Sequence, residues 1–391
     1  MQSVTIVRES PIIKTARMLQ LCGMFDLNDT AHSREEWVVN LNLPDDWSVG
    51  LIVGPSGCGK STVARTLWPE DMTPEWAWDE DKSIVDSFPR DMQIRDVAEL
   101  LSSVGFSSPP SWLRPYRVLS TGEQFRVTMA RTLAEMKELA VVDEFTSVID
   151  RTVAKIGSAA IAKTVRRRKQ RVIAVTCHED VADWLQPDWT YRPDVNALAR
   201  GCLQRPSINL EVRRVHSSAW AIFRKHHYLS AEINKAAACF VATWDDRPVA
   251  FASCLHFPHP KCPNTKREHR TVCLPDFQGV GIGNALSDWL ASLCTARGAR
   301  YLSLTSHPSM IRARSKSKHW RCIAAPNCKT KTIPPGFRTE ASGKSGKMAM
   351  RMRATFEYIG PKMDAVLAEK IWSGEGGSTP TCALQSSGGD A

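Results

Sequence analysis

The sequence predicts a two-domain α/β protein with a mostly parallel sheet in its N-terminal part and a second, mixed α/β domain after it. Three observations carry this expectation. At 391 residues the chain exceeds one ordinary core, since domains run to roughly 100–200 residues. Several short apolar, β-branched runs end abruptly in polar residues, the pattern of buried strands in an α/β sheet. And the order strand, glycine loop, helix occurs twice, once in each half.

In the N-terminal half, Trp47 to Val53 is an apolar run that breaks at Gly54, and Ser61 to Leu67 continues with helical character. Leu139 to Val142 ends in Asp143 and Glu144, and Val172 to Thr176 ends in Cys177 and His178. Between them, 122–136 and 153–165 have helical periodicity. Polar residues at the C-terminal ends of such strands are where open α/β sheets bind ligands. Residues 185–210, with Pro187, Pro193 and Pro206, read as a linker. Beyond it, 237–244 and 248–255 form a hairpin about the turn Asp245–Asp246–Arg247, followed by a strand at 270–274, a helix at 282–297 and a strand at 299–305. The expected division is 1–200, 201–370 and a Gly/Ser/Thr-rich disordered tail at 371–391.

Hydrophobic residues make up 43% and charged residues 24% of the chain, values that suit folded domains rather than disorder. No stretch has the apolar length of a membrane-spanning helix, and the N-terminus lacks the apolar region of a signal peptide. Twelve cysteines without CxxC pairs fit reduced thiols, so the expected compartment is cytoplasmic. Residues 1–200 carry 24 Lys and Arg against 28 Asp and Glu, a net of −4, whereas the remainder carries 27 against 13, a net of +14. A basic half suits a polyanion, nucleic acid first, or is a solvated surface.

Gly54-Pro55-Ser56-Gly57-Cys58-Gly59-Lys60-Ser61 fits G-x-x-x-x-G-K-[ST] between a strand and a helix, with Thr62 next on that helix. Its glycines let backbone N–H groups turn in around phosphates, Lys60 reaches the β and γ phosphates of ATP, and Ser61 ligates Mg²⁺. Asp143, closing a strand, is the second Mg²⁺ ligand, and Glu144 beside it orients or deprotonates the attacking water. With these comes Leu119-Ser-Thr-Gly-Glu-Gln-Phe-Arg126, which resembles the signature of ABC-type ATPases, and Thr146-Ser-Val-Ile-Asp150, which resembles their D-loop. The resemblance covers roughly residues 25–200 and implies a P-loop NTPase fold of ABC type. It implies that His178 contacts the γ-phosphate as the switch histidine. It implies that Ser120, Gly122 and Glu123 bind ATP in trans across an ATP-dependent homodimer. Phe25 stands at the family's distance for an aromatic stacked on adenine, or belongs to a core. The chain departs from the family at Thr121, at Phe145 and in the Q-loop, for which Gln93 looks displaced.

Gln278-Gly279-Val280-Gly281-Ile282-Gly283 fits Q/R-x-x-G-x-G/A, again after a strand and at the start of a helix. Glycine there lets backbone N–H groups approach a pyrophosphate at a helix N-terminus. The loop and the elements around it resemble GNAT acyltransferases over residues 211–325. The resemblance implies that these six residues bind an acyl-CoA, acetyl-CoA first. His226-His227-Tyr228 precedes the hairpin, where an acid or base for the acceptor could stand, or packs an aromatic helix end. Cys254, His256, His259 and Cys262 have side chains that suit zinc at a spacing no standard finger uses. Arg312, Arg314, Lys316, Lys318, His319, Trp320 and Arg321, then seven further Lys and Arg from 329 to 353, interleave charge with one aromatic, as a phosphate-contacting, base-stacking run does.

The expected activity is ATP hydrolysis coupled to acyl transfer onto nucleic acid. Three rivals stay open: a regulatory ABC ATPase with a non-catalytic second domain, a protein or small-molecule acetyltransferase, and a transporter subunit. No membrane contact is expected.

Overall fold

The computed structural model describes residues 2–25, 32–201, 206–227, 232–257, 262–325, 353–374 and 382–384. They form two compact units, Met1–Ala77 with Arg131–Arg205, and Trp78–Ala130 with Pro206–Ala391. The expected boundary near residue 200 assigned 78–130 to the N-terminal part. By contacts this insertion groups with the C-terminal one, and the division falls after Ala130, inside the helix Thr121–Glu135.

In the first unit a hairpin of β1 (Gln2–Pro11) and β2 (His32–Leu41) precedes β3 (Val49–Val53), β4 (Leu139–Val142), β5 (Arg171–Thr176), β6 (Trp189–Arg192) and β7 (Ala197–Arg200). The sheet order is β4-β5-β3-β6-β7, parallel as far as β6, with β7 antiparallel at the edge. Strand β3 is buried along its whole length, as a central parallel strand with helices on both faces must be. Ile6 and Val39 of the hairpin join Ile52, Val141, Ile173, Val175 and Trp189 in one core cluster. The segment expected as a linker supplies β6 and β7. Its prolines flank the strands, and the apolar alternation of Trp189 and Tyr191, both buried, outweighs them.

The second unit contains β8 (Ile208–Val215), β9 (Ala238–Trp244), β10 (Arg247–His256), β11 (Thr265–Cys273), β12 (Arg300–Thr305), β13 (Trp320–Ala324), β14 (Ala354–Tyr358) and β15 (Cys382–Leu384). Their order is β13-β14-β12-β11-β10-β9-β8-β15. Asp245 and Asp246 take positive φ, 48° and 60°, as the two-residue turn of the β9–β10 hairpin requires. The helix Ile282–Ala296 buries Leu286, Leu290 and Leu293. Strands β11 and β12 are parallel but pair over only Thr265–Arg267 and Arg300–Leu302 before they part.

The tail read as disordered is ordered in part. Ile371 to Ser373 end the helix Ala365–Ser373, and Cys382–Leu384 pairs antiparallel with β8; 375–381 and 385–391 lie outside the described residues.

Candidate functional site

The first unit assembles the glycine loop 54–61 between β3 and the helix Lys60–Leu67. Gly57 and Gly59 hold positive φ, 83° and 89°, which turns the loop in a way L side chains resist. Lys60 Nζ donates to Pro55 O at 2.6 Å, so the ammonium lies across the loop's own mouth. Ser61 Oγ donates to Asp143 Oδ1 at 2.8 Å. A hydroxyl and a carboxylate in contact are hard oxygen donors of the kind Mg²⁺ takes together with phosphate oxygens. Arg65, one helical turn after Ser61, pairs with the other carboxylate oxygen at 3.1 Å. Glu144 is exposed, at φ 51°, with its N–H bonded to Asp143 Oδ1 at 3.0 Å. His178 follows β5 and is half-buried, its N–H donating to Thr176 Oγ1 at 3.1 Å. Asp150 caps the helix Arg151–Arg168 by accepting from Thr152 and Val153 N–H at 2.8 and 3.3 Å.

Phe25 ends the helix Ala16–Phe25 and is 65% exposed, so it is not the core residue it was offered as. A different aromatic stands beside the loop 54–61: a Cβ on Gly59 would lie 2.2 Å from Trp37 Nε1, so the indole of β2 rests against the loop's last glycine. Sequence reasoning missed Trp37 because it belongs to a hairpin whose two strands are 20 residues apart and were not read as a pair.

The signature residues open the helix Thr121–Glu135. Ser120 Oγ accepts from Glu123 N–H at 3.3 Å while Glu123 Oε2 accepts from Ser120 N–H at 3.0 Å, a reciprocal capping box. Ser111 Oγ donates to the other Glu123 oxygen at 3.0 Å. Gln93 precedes the helix Ile94–Ser103 without making a side-chain cap bond.

In the second unit the six residues of the expected acyl-CoA loop divide cleanly. Gln278, Val280 and Ile282 are buried. Gln278 Oε1 accepts from Ser107 N–H at 2.7 Å and its Nε2 donates to Cys273 O at 2.8 Å. Gly279 and Gly281 hold positive φ, 96° and 102°, and a Cβ on Gly281 would meet nothing within 4 Å. The loop therefore presents backbone at a helix N-terminus, in open space at Gly281, which fits a pyrophosphate.

Where β11 and β12 part, side chains bridge them. Glu268 accepts from Thr271 Oγ1 at 2.6 Å, Ser287 Oγ at 2.7 Å, Ser303 Oγ, and Arg314 at 2.8 Å. Burial pushes the Glu268 carboxyl up, but Arg314 and the three hydroxyls outweigh it and hold it below its ordinary value. On β11, His269 accepts from Asn234 N–H at 3.3 Å. Burial first, then Arg270, pushes both His227 and His269 down to about 4, so both are neutral near pH 7. Burial also lowers His226. Tyr228 and His259 lie outside the described residues, and no cluster of metal-binding side chains occurs among the described ones.

Among the described residues the basic run is not a continuous phosphate-facing surface. Arg314 is 2% exposed and bound to Glu268; Trp320 is buried with Nε1 donating to Asp288 at 2.6 Å; Arg312 pairs with Glu99 and Arg321 with Glu357. Lys316 and Lys318 are exposed, and 326–352 lie outside the described residues. No described helix is long and apolar enough to cross a membrane.

Residues 180–315 match the model of the Acetyltransferase (GNAT) family. No curated protein matches the chain. Among solved structures, the chain is similar to a dimeric ATP-binding cassette in a post-hydrolysis state bound to ADP and Pi, at 16% identity and TM-score 0.34, over 42% of this chain and 92% of that one. It is also similar to a putative metal-chelate type ABC transporter in an inward-facing conformation, at 17% identity and TM-score 0.33, over 42% of this chain and 77% of that one.

Proposed function

We propose that this chain, which carries a GNAT acetyltransferase domain at residues 180–315, couples ATP binding and hydrolysis to acyl transfer from acyl-CoA onto nucleic acid. The observation that carries the ATPase half is the Ser61–Asp143 hydrogen bond of 2.8 Å beneath a lysine-bearing glycine loop, with Glu144 next in the chain. Lys60 and the loop amides bind the phosphates, and Ser61 and Asp143 would hold a Mg²⁺ whose charge would neutralise them; as water bonds to the γ-phosphorus and the bond to ADP breaks, Glu144 accepts the water's proton. His178 faces the γ-phosphate. Ser120, Gly122 and Glu123 complete the site of a second copy, so the working form is an ATP-dependent homodimer. Trp37, rather than Phe25, stacks on adenine.

In the second site, the amides of the loop 278–283 hold the acyl-CoA pyrophosphate. The acceptor's nucleophilic atom bonds to the acyl carbon, the thioester C–S bond breaks, and the CoA thiolate leaves as the acceptor's proton passes to a base. The neutral histidines His227 and His269 suit that last role in charge state, though a base that titrates near 4 takes the proton only weakly.

Nucleic acid as acceptor rests on the net charge of +14 beyond residue 200. Within the run that begins at Arg312, Arg312, Arg314 and Arg321 are paired with acids, so there the reading leans on Lys316, Lys318 and the basic stretch after residue 325. The test measures ATP hydrolysis and acetyl-CoA consumption by the full chain with DNA, with RNA and with neither, at two salt concentrations. Salt-sensitive stimulation of both activities is expected. Acetyl-CoA turnover indifferent to either polymer would move the acceptor to a protein or small molecule.

A further inference from the structure

The turn that leads into the glycine loop 278–283 is gripped by the insertion that bears the signature residues, all within the second unit. Arg126, 1% exposed, donates Nη1 to Pro275 O and Nη2 to Asp276 O, the latter at 3.1 Å. Those are the two carbonyls just before Phe277 and Gln278. Ser107 N–H donates to the Gln278 side chain at 2.7 Å. Gly105 approaches so closely that a Cβ there would lie 2.7 Å from Gln278 O and 3.5 Å from Arg126 Nε. His307 Nε2 lies 3.2 Å from Ser107 O, and Glu99 pairs with Arg312.

A buried guanidinium hydrogen-bonded to carbonyls rather than to a carboxylate is an expensive way to fill a core, because its desolvation is offset only by those dipoles and by the longer-range attraction of Asp276, Cys273 and Glu123. Burial lowers Arg126 to about 10, so it stays protonated near pH 7 and its donors stay fixed on the turn. Arg126 also lies on the helix that Ser120 caps, six residues along it, about 9 Å at 1.5 Å per residue. A rigid rod thus has the ATP-facing signature at one end and the turn before the acyl-CoA loop against its side.

We propose that Arg126 is a positioning residue through which engagement of ATP by Ser120–Glu123 sets the conformation of the loop 278–283, and so the affinity for acyl-CoA. This rests on the reading above that the signature meets ATP and the loop meets acyl-CoA. Coupling of this kind is reciprocal: acyl-CoA changes the affinity for ATP by the same factor.

The test titrates acetyl-CoA into the full chain by calorimetry, with and without a non-hydrolysable ATP analogue and Mg²⁺. In the wild type the analogue shifts the acetyl-CoA Kd by about fivefold or more, and acetyl-CoA shifts the analogue's Kd equally. Arg126→Met, which keeps the stem and removes the donors, abolishes the shift while each ligand still binds alone; Arg126→Lys restores part of it. Hydrogen exchange on the wild type gives a second readout that needs no variant to fold: the analogue changes protection at 275–283 as well as at 54–61. Independent binding of the two ligands, an undiminished shift in Arg126→Met, or protection changing at 54–61 alone would overturn the proposal. A chain that binds the analogue but no acetyl-CoA would instead defeat the functional reading of the loop, and the coupling with it.

Discussion

At the scale of single residues, the phosphate site makes the sharpest predictions. Lys60→Ala removes the ammonium at the loop's mouth and abolishes detectable ATP binding by fluorescence titration. Glu144→Gln leaves the hydrogen-bonding shape and removes the base, so binding persists while turnover falls by about a hundredfold or more; normal hydrolysis in that variant would end the assignment. Trp37→Ala weakens ATP by roughly 1 kcal/mol or more through lost base stacking, whereas Phe25→Ala leaves the Kd unchanged. Glu268→Gln strands Arg314 in a buried site with its anionic partner gone, a change that typically costs about 3–5 kcal/mol in unfolding experiments. The sign with pH follows from the lowered Glu268. Its contribution is complete above the unfolded carboxyl value and drains away as pH falls through the folded one, so denaturant midpoints of wild type and variant converge in acid. His227 and His269, pushed down to about 4, act in the same sense between about 6.5 and 4.

Among the elements, the roles proposed for the glycine loops and caps rest on backbone. Gly281 sits at φ 102° with open space where a side chain would begin. Gly281→Val therefore strains the loop and fills the approach to its amides, and acetyl-CoA affinity falls by about tenfold or more while ATP binding measured alone is unchanged. Retained acetyl-CoA affinity would mean that the ligand does not use this loop. The helix Thr121–Glu135 begins with the reciprocal bonds of Ser120 and Glu123, so the signature sequence is also a helix start. The serine, glycine and glutamate could be placed on a helix N-terminus from sequence by that pattern alone. The hairpin of β1 and β2 could not, because its strands are joined by a helix-bearing connection rather than a short turn.

For the whole molecule, charge is the coarse handle. If the basic half meets nucleic acid, the binding constant falls steeply and linearly with salt on logarithmic axes, and gel-shift titrations at two salt concentrations read the slope. A flat response would leave the +14 as a solvated surface. The two units also recast the domain organisation: the insertion 78–130 groups with the C-terminal sheet, so the segment proposed to meet ATP and the loop proposed to meet acyl-CoA belong to one unit.

The sequence by itself determined the chemistry-bearing backbone: each glycine loop lies between a strand and a helix as its spacing demands, and Asp143 and Glu144 end a buried strand. These are local facts, fixed by periodicity, glycine φ and the polar ends of apolar runs. Only the tertiary structure decided which side chains turn inward to partners and which stay exposed. Gln278 turns inward to Ser107, Arg314 pairs with Glu268, Trp320 is buried on Asp288, and Trp37 reaches Gly59. A motif records residue type and spacing, whereas burial and partnership depend on segments far apart in the chain, 171 residues in the case of Ser107 and Gln278. No local pattern encodes those meetings, because their energy comes from contacts formed only once the chain has folded.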